Sequence, residues 1–134
     1  MLACRAIRGA TTANANTSED ILEATEELLR TMLSLNDLSN SSDEFVSVIF
    51  TTTTDLNATF PAVAARAMGM DQIPLMCAHE MAVPGALDMC VRVMMHVNTE
   101  LKTSEIKHVY LRRAQALRPE WAREAVGVMS ERES

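Results

Sequence analysis

Arg92 stands in the middle of an otherwise apolar run, Cys90-Val91-Arg92-Val93-Met94-Met95. An arginine there loses hydration and must meet an anion, either a protein carboxylate at a subunit contact or a ligand. Arg8 closes the short apolar stretch 2–8 just ahead of Gly9, where a strand end points a side chain to solvent or into a cleft. Glu80 follows Cys77-Ala78-His79 at the point where a strand gives way to a loop, a position that suits a capping or pairing carboxylate as well as a chemical one. Tyr110 is the sole tyrosine, amphipathic and at home on a core edge. Arg118 precedes Pro119 where the chain turns polar. These residue types point to the recognition of an anion.

Other chemistries lack their signatures. His79-Glu80 has no second histidine four residues on, so the zinc-protease helix motif fails. Cys77, His79, Cys90 and His96 match no closed zinc site in their spacing. With glycine only at positions 9, 69, 85 and 127, there is neither a dinucleotide loop nor a Walker loop, and no nucleophile elbow occurs. Ten methionines fall at scattered, core-like positions and read as gap fillers. No metal or cofactor is expected.

The whole chain has 134 residues, a net charge of −6, 48 % apolar and 22 % charged residues. Those proportions suit one acidic globular domain with a single core. Ten arginines stand against two lysines, Lys102 and Lys107. Arginine is favoured where a planar fork must hold a carboxylate or phosphate. A negative chain with one Trp, one Tyr and three Phe lacks the surface of a general nucleic-acid binder. No apolar run approaches the roughly 20 residues that span a bilayer. Without a signal peptide the expected compartment is the cytoplasm. Three cysteines with no CxxC pair argue against a disulfide framework.

The elements that must position these residues follow from periodicity. Residues 2–8 read as a strand ended by Gly9, and 11–17 as an Asn-rich loop. Ile21, Leu22, Thr25, Leu28, Leu29, Met32 and Leu33 form one helical stripe, so a helix runs from Ser18 to about Leu35, capped by Thr17 or Ser18. Residues 45–53 are β-branched and aromatic, a strand. Pro61 opens a short alanine-rich helix that Gly69 stops. Residues 72–78 read as a buried strand and 79–88 as a long loop. The stretch 89–97 alternates, with Val91, Val93, Met95 and Val97 on one face and Cys90, Arg92, Met94 and His96 on the other. A fifth strand is expected over 106–111, with Tyr110 on the face of Ile106 and His108. The class is α+β: a five-stranded mixed sheet packed by one long and one short helix, in a single domain over 1–119 with a polar, fraying tail over 120–134. So few helices cover only one sheet face, and association between subunits is expected on packing grounds.

Several stretches run in a telling order from about residue 5 to residue 119. They are Ile7-Arg8-Gly9-Ala10-Thr11-Thr12, Asp55-Leu56, Phe60-Pro61-Ala62 with Arg66, and Pro74, Cys77, Glu80-Met81 and Gly85. Cys90 to Met95, His108-Val109-Tyr110-Leu111 and Ala116-Leu117-Arg118-Pro119 complete them. In this combination the sequence resembles the monofunctional bacterial chorismate mutases of the homotrimeric, pseudo-α/β-barrel type. The resemblance implies a cofactor-free Claisen rearrangement of chorismate to prephenate in aromatic amino-acid biosynthesis, at sites between adjacent subunits. It implies that Arg92 donates to the ether oxygen and a carboxylate, and that Glu80 and Cys77 engage the ring hydroxyl. Arg8 would bind a carboxylate beside Tyr110, Phe60 and Ala62 would line the wall, and Arg66 and Arg118 would close the mouth, so that four arginines converge on one pocket. Val63 stands where such enzymes often have lysine, Met76 where a small polar residue is common, and His79 where a neutral polar one is. Two other classes stay open at this point: a trimeric imine or enamine deaminase, and a non-catalytic trimer that binds carboxylates or a protein partner.

Overall fold

The amphipathic stretch after Thr17 forms helix α1 (Ser18–Leu35) in the computed structural model, which describes residues 1–39 and 43–120. Thr17 caps it, its hydroxyl accepting from the Asp20 backbone N–H at 3.1 Å, with Glu19 and Asp20 in the first turn where the helix dipole favours anions. The apolar stripe packs onto one face of a five-stranded sheet. Its strands are β1 (Ala3–Thr12), β2 (Phe45–Thr52), β3 (Leu75–His79), β4 (Cys90–Thr99) and β5 (Val109–Tyr110), in the order β3-β2-β4-β1-β5. β4 is antiparallel to both of its neighbours, while β3 and β5 lie parallel to β2 and β1 at the edges. The short helix α2 (Ala62–Ala67) starts at Pro61 and stops at Gly69, whose φ of +89° suits glycine.

The alternation along β4 is the one its sequence implies: Val91, Val93, Met95 and Val97 are buried, while Arg92, Met94 and His96 face the other side and are half-buried. Ile7, Val48, Phe50 and Met95 join Leu28, Leu29 and Met32 in the main core. Asn36, at the helix C-terminus, is buried and fully paired. Its amide donates to the Met32 and Lys107 carbonyls and accepts from the Lys107 N–H, which ties α1 to the approach of β5.

Three boundaries differ from expectation. Gly9 does not end β1; the strand continues through it to Thr12. A Cβ at Gly9 would collide with Met32 Sδ and crowd Leu28 Cδ1 at 3.1 Å, so glycine is there for helix–sheet approach, not for a turn. β3 starts three residues later than expected and is not buried, because it is the sheet edge. β5 shrinks to two residues, so Ile106 packs with Val109 in the main core and not beside Tyr110. A 3₁₀ turn (Arg112–Ala116) follows it. The expected tail lies outside the described residues beyond Glu120.

Candidate active site

The open sheet face gathers the first group of candidate residues by register. Arg92 pairs with Ala10 on β1 and Thr51 on β2, and Met94 pairs with Arg8 and Ile49, so all of these side chains share a face. β3 pairing continues one residue past His79, with the Glu80 N–H donating to the Thr52 carbonyl at 2.8 Å. That extension swings the Glu80 carboxylate onto the same face. Arg8, Thr51, Glu80, Arg92, His96 and Tyr110 thereby line a concavity of about 360 Å³.

Within it, Glu80 Oε2 accepts from the Thr51 hydroxyl at 2.5 Å and lies 3.6 Å from Arg92 Nε. The second distance is an ion pair but too long for a hydrogen bond. Arg92 Nε is buried and, among the described residues, has no hydrogen-bond partner. A buried donor left unmade costs about 1–3 kcal/mol, and the rest of this side chain, 30 % exposed, opens on the concavity where an acceptor could arrive.

Tyr110 is 2 % exposed, packed with Ala10, Cys90 and Ala114. Burial pushes its phenol pKa up, and Arg8, Arg118 and Arg92 pull it back in that order, which marks the cationic character of the surroundings. The Cys90 thiol is likewise raised by burial, against the pull of Arg92. Arg8 is steadied from behind: its backbone N–H donates to His108 Nδ1 at 3.0 Å. Arg118 lies at the flank, its Nε donating to Glu120 Oε1 at 2.7 Å.

The second group sits elsewhere. Phe60, Ala62, Arg66 and Cys77 line a separate concavity of about 240 Å³ with Leu75. Cys77 pairs with Phe50 and packs toward the main core, the opposite face from Glu80 three residues on. Phe60 is 67 % exposed. Within one chain, therefore, Cys77 does not flank Glu80, and Arg66 does not join Arg8, Arg92 and Arg118. The four-arginine pocket is expected between subunits, and one chain supplies Arg8 and Arg92 from one concavity and Arg66 from another.

Four supporting residues escaped the sequence reading. Thr51 looked like one more β-branched strand residue. Arg112, at φ +51°, donates to the Thr12 carbonyl at 3.1 Å and pairs with Glu27 at 3.2 Å and Glu23 at 3.7 Å, seating the 3₁₀ turn against the end of β1. Glu23 and Glu27, one turn apart on a helix, were the available signal for a cation there. Asn16 accepts from the Asn57 and Ala58 N–H groups, both at 3.0 Å, and so clamps the loop that carries Phe60. Asp55 accepts from the Met89 N–H at 2.9 Å, holding that residue at φ +52° just before β4.

The sequence and the fold match known proteins. The family model for chorismate mutase type I matches residues 4–121. The chorismate mutase AroH of Thermus thermophilus is 47 % identical over 116 residues, 87 % of this chain and 94 % of that protein. Its Bacillus subtilis (strain 168) counterpart is 41 % identical over 117 residues, 87 % and 91 % of the two chains. The solved structure of a chorismate mutase from Clostridium thermocellum superposes with a TM-score of 0.81 at 51 % identity, covering 84 % of this chain and 98 % of that one. The chain belongs to the chorismate mutase type I family. It is accordingly an isomerase of aromatic amino-acid biosynthesis, and the deaminase and non-catalytic alternatives are not favoured. Among the described residues no helix is long and apolar enough to cross a membrane.

Proposed function

We propose that this chorismate mutase converts chorismate to prephenate at a composite site between adjacent copies in a homotrimer. Arg8, Glu80, Arg92 and Tyr110 of one chain face Phe60, Ala62, Arg66 and Cys77 of the next. The observation that carries the proposal is the buried, unpartnered Arg92 Nε beside Glu80. The exposed apolar side chains of Phe60, Met76 and Met81 support a covering neighbour, as does the face that α1 and α2 leave open.

The rearrangement is unimolecular, so rate comes from holding the dianion in its compact diaxial form and stabilising the charge that shifts as the C–O bond breaks. Arg92 donates to the ether oxygen, where negative charge grows, and so binds the transition state more tightly than the substrate. Glu80 accepts from the ring hydroxyl and faces the positive charge that develops on the ring. Arg8 takes a carboxylate next to Tyr110, which stays a neutral donor because burial raises its pKa. Cys77 approaches the ring hydroxyl from the neighbouring chain, Phe60 and Ala62 form the wall, and Arg66 and Arg118 add positive charge at the mouth. Val63 removes a potential further cation there. The working compartment is the cytoplasm, where free thiols such as Cys4, Cys77 and Cys90 persist.

Mixing two impaired variants tests the composite site. Arg92→Ala and Arg66→Ala chains, unfolded together and refolded in equal amounts, should regain activity in about one quarter of the sites of a cyclic trimer, read as loss of chorismate absorbance. A mixture no more active than its separate components overturns the shared site.

A further inference from the structure

Of the four consecutive threonines 51–54, Thr51 alone lines the concavity that holds Arg8, Glu80 and Arg92. The Thr52 hydroxyl donates to the Leu56 carbonyl, and the Thr53 hydroxyl joins Asp55 and accepts from the Cys90 N–H. Thr51 stands directly between the two charged partners. It pairs in register with Arg92 on one side and with Ala78, two residues before Glu80, on the other. Its hydroxyl donates to Glu80 Oε2, the same oxygen that lies nearest Arg92 Nε.

A carboxylate and a guanidinium sharing a half-buried concavity attract each other strongly, and their rest geometry is a closed, charge-assisted pair near 2.8 Å. Here the pair stands open at 3.6 Å, and Arg92 Nε is left with no partner. What holds Glu80 back is visible: one oxygen is committed to Thr51, whose branched side chain is stiff at χ1. We propose that Thr51 is a positioning residue for the reaction, a hydroxyl that anchors Glu80 short of Arg92 and thereby keeps the partly exposed guanidinium free to turn to the substrate. This inference rests on the proposed roles of Arg92 and Glu80. Without the anchor, Glu80 closes onto Arg92, and each turnover must first break that pair.

Thr51→Val, nearly isosteric and favourable in a strand, removes only the hydroxyl. The expected result is a fall in kcat of about 10- to 100-fold, the worth of one hydrogen bond to a charged group. KM and Tm should stay close to wild type, and Thr51→Ser should restore turnover. A crystal structure of Thr51→Val should show Arg92 Nε within hydrogen-bond distance of Glu80. Thr51→Ala, which also lacks the hydroxyl, should repeat the loss if the valine variant folds poorly. Normal turnover in Thr51→Val while Arg92→Lys is inactive overturns the role of Thr51 alone. A serine variant as slow as the valine one, or a pair still open in the Thr51→Val structure, does the same. Normal turnover in Arg92→Lys as well removes the underlying assignment together with this one.

Discussion

The two faces of the sheet come from the same strands, yet they obey different rules. Residues 91, 93, 95 and 97 are buried and apolar: Val93, Met95 and Val97 join Leu28, Leu29 and Met32 of α1 in the main core, and Val91 joins Ile21 and Ala24 in a smaller cluster. Residues 92, 94 and 96 point to the face that α1 and α2 leave open, and they bring a guanidinium, a thioether and an imidazole to a concavity shared with Arg8, Glu80 and Tyr110. Stability is written on one parity of β4 and, on the proposed assignment, chemistry on the other. Substitutions on the two faces should therefore fail in different measurements.

The sharpest break of that division is Arg92→Lys. A point charge cannot reproduce the planar fork, so kcat is expected to fall by about 10²- to 10³-fold with Tm and oligomer size unchanged; near-normal turnover would show that the fork is dispensable. Glu80→Ala comes next. It should lower kcat/KM by about 100-fold while the thermal transition stays cooperative, and a collapsed transition would instead make the pair structural.

On the covered face the losses should move to the stability axis. Gly9→Ala forces a methyl against Met32 and Leu28. Such overpacking costs about 1–3 kcal/mol, measurable as a lower urea midpoint. Activity lost without that drop in midpoint would blur the division between the faces.

The smallest expected effect concerns pH. Cys90 and Tyr110 both hold their protons more tightly in the folded chain than in the unfolded one. Their contribution is complete below the ordinary values of 9.0 and 10.0 and is lost as pH climbs through the raised folded values. Tm should be level up to about pH 9 and decline above it, and Cys90→Ala should remove the earlier part of that decline.

Local pattern made a good part of this molecule readable. The stripe of α1, the alternation of β4 and the cap at Thr17 are properties of neighbours in sequence, and they appear as the spacing implies. Arg92 stood out because an arginine in an apolar strand violates burial unless something answers it. Features that depend on distant partners were hidden. Gly9 looked like a strand end because its reason, the approach of Met32, lies more than twenty residues away. β3 looked buried because an apolar edge strand awaiting a partner has the composition of a core strand. Thr51 carries no signal in a run of threonines until β3 and β4 are laid beside it. The separation of Cys77 from Glu80 within one chain needs no more than strand parity, whereas their joint role at the ring hydroxyl came from the resemblance alone.

That odd spacing has a consequence for how activity scales. Each chain folds with its two contributions pointing away from each other, so on the proposed assignment a solitary chain is folded and silent. Turnover per milligram then becomes a function of concentration. On dilution through the dissociation range of the trimer it falls away steeply, while the helix and sheet signals of each chain persist, and adding chains back restores it.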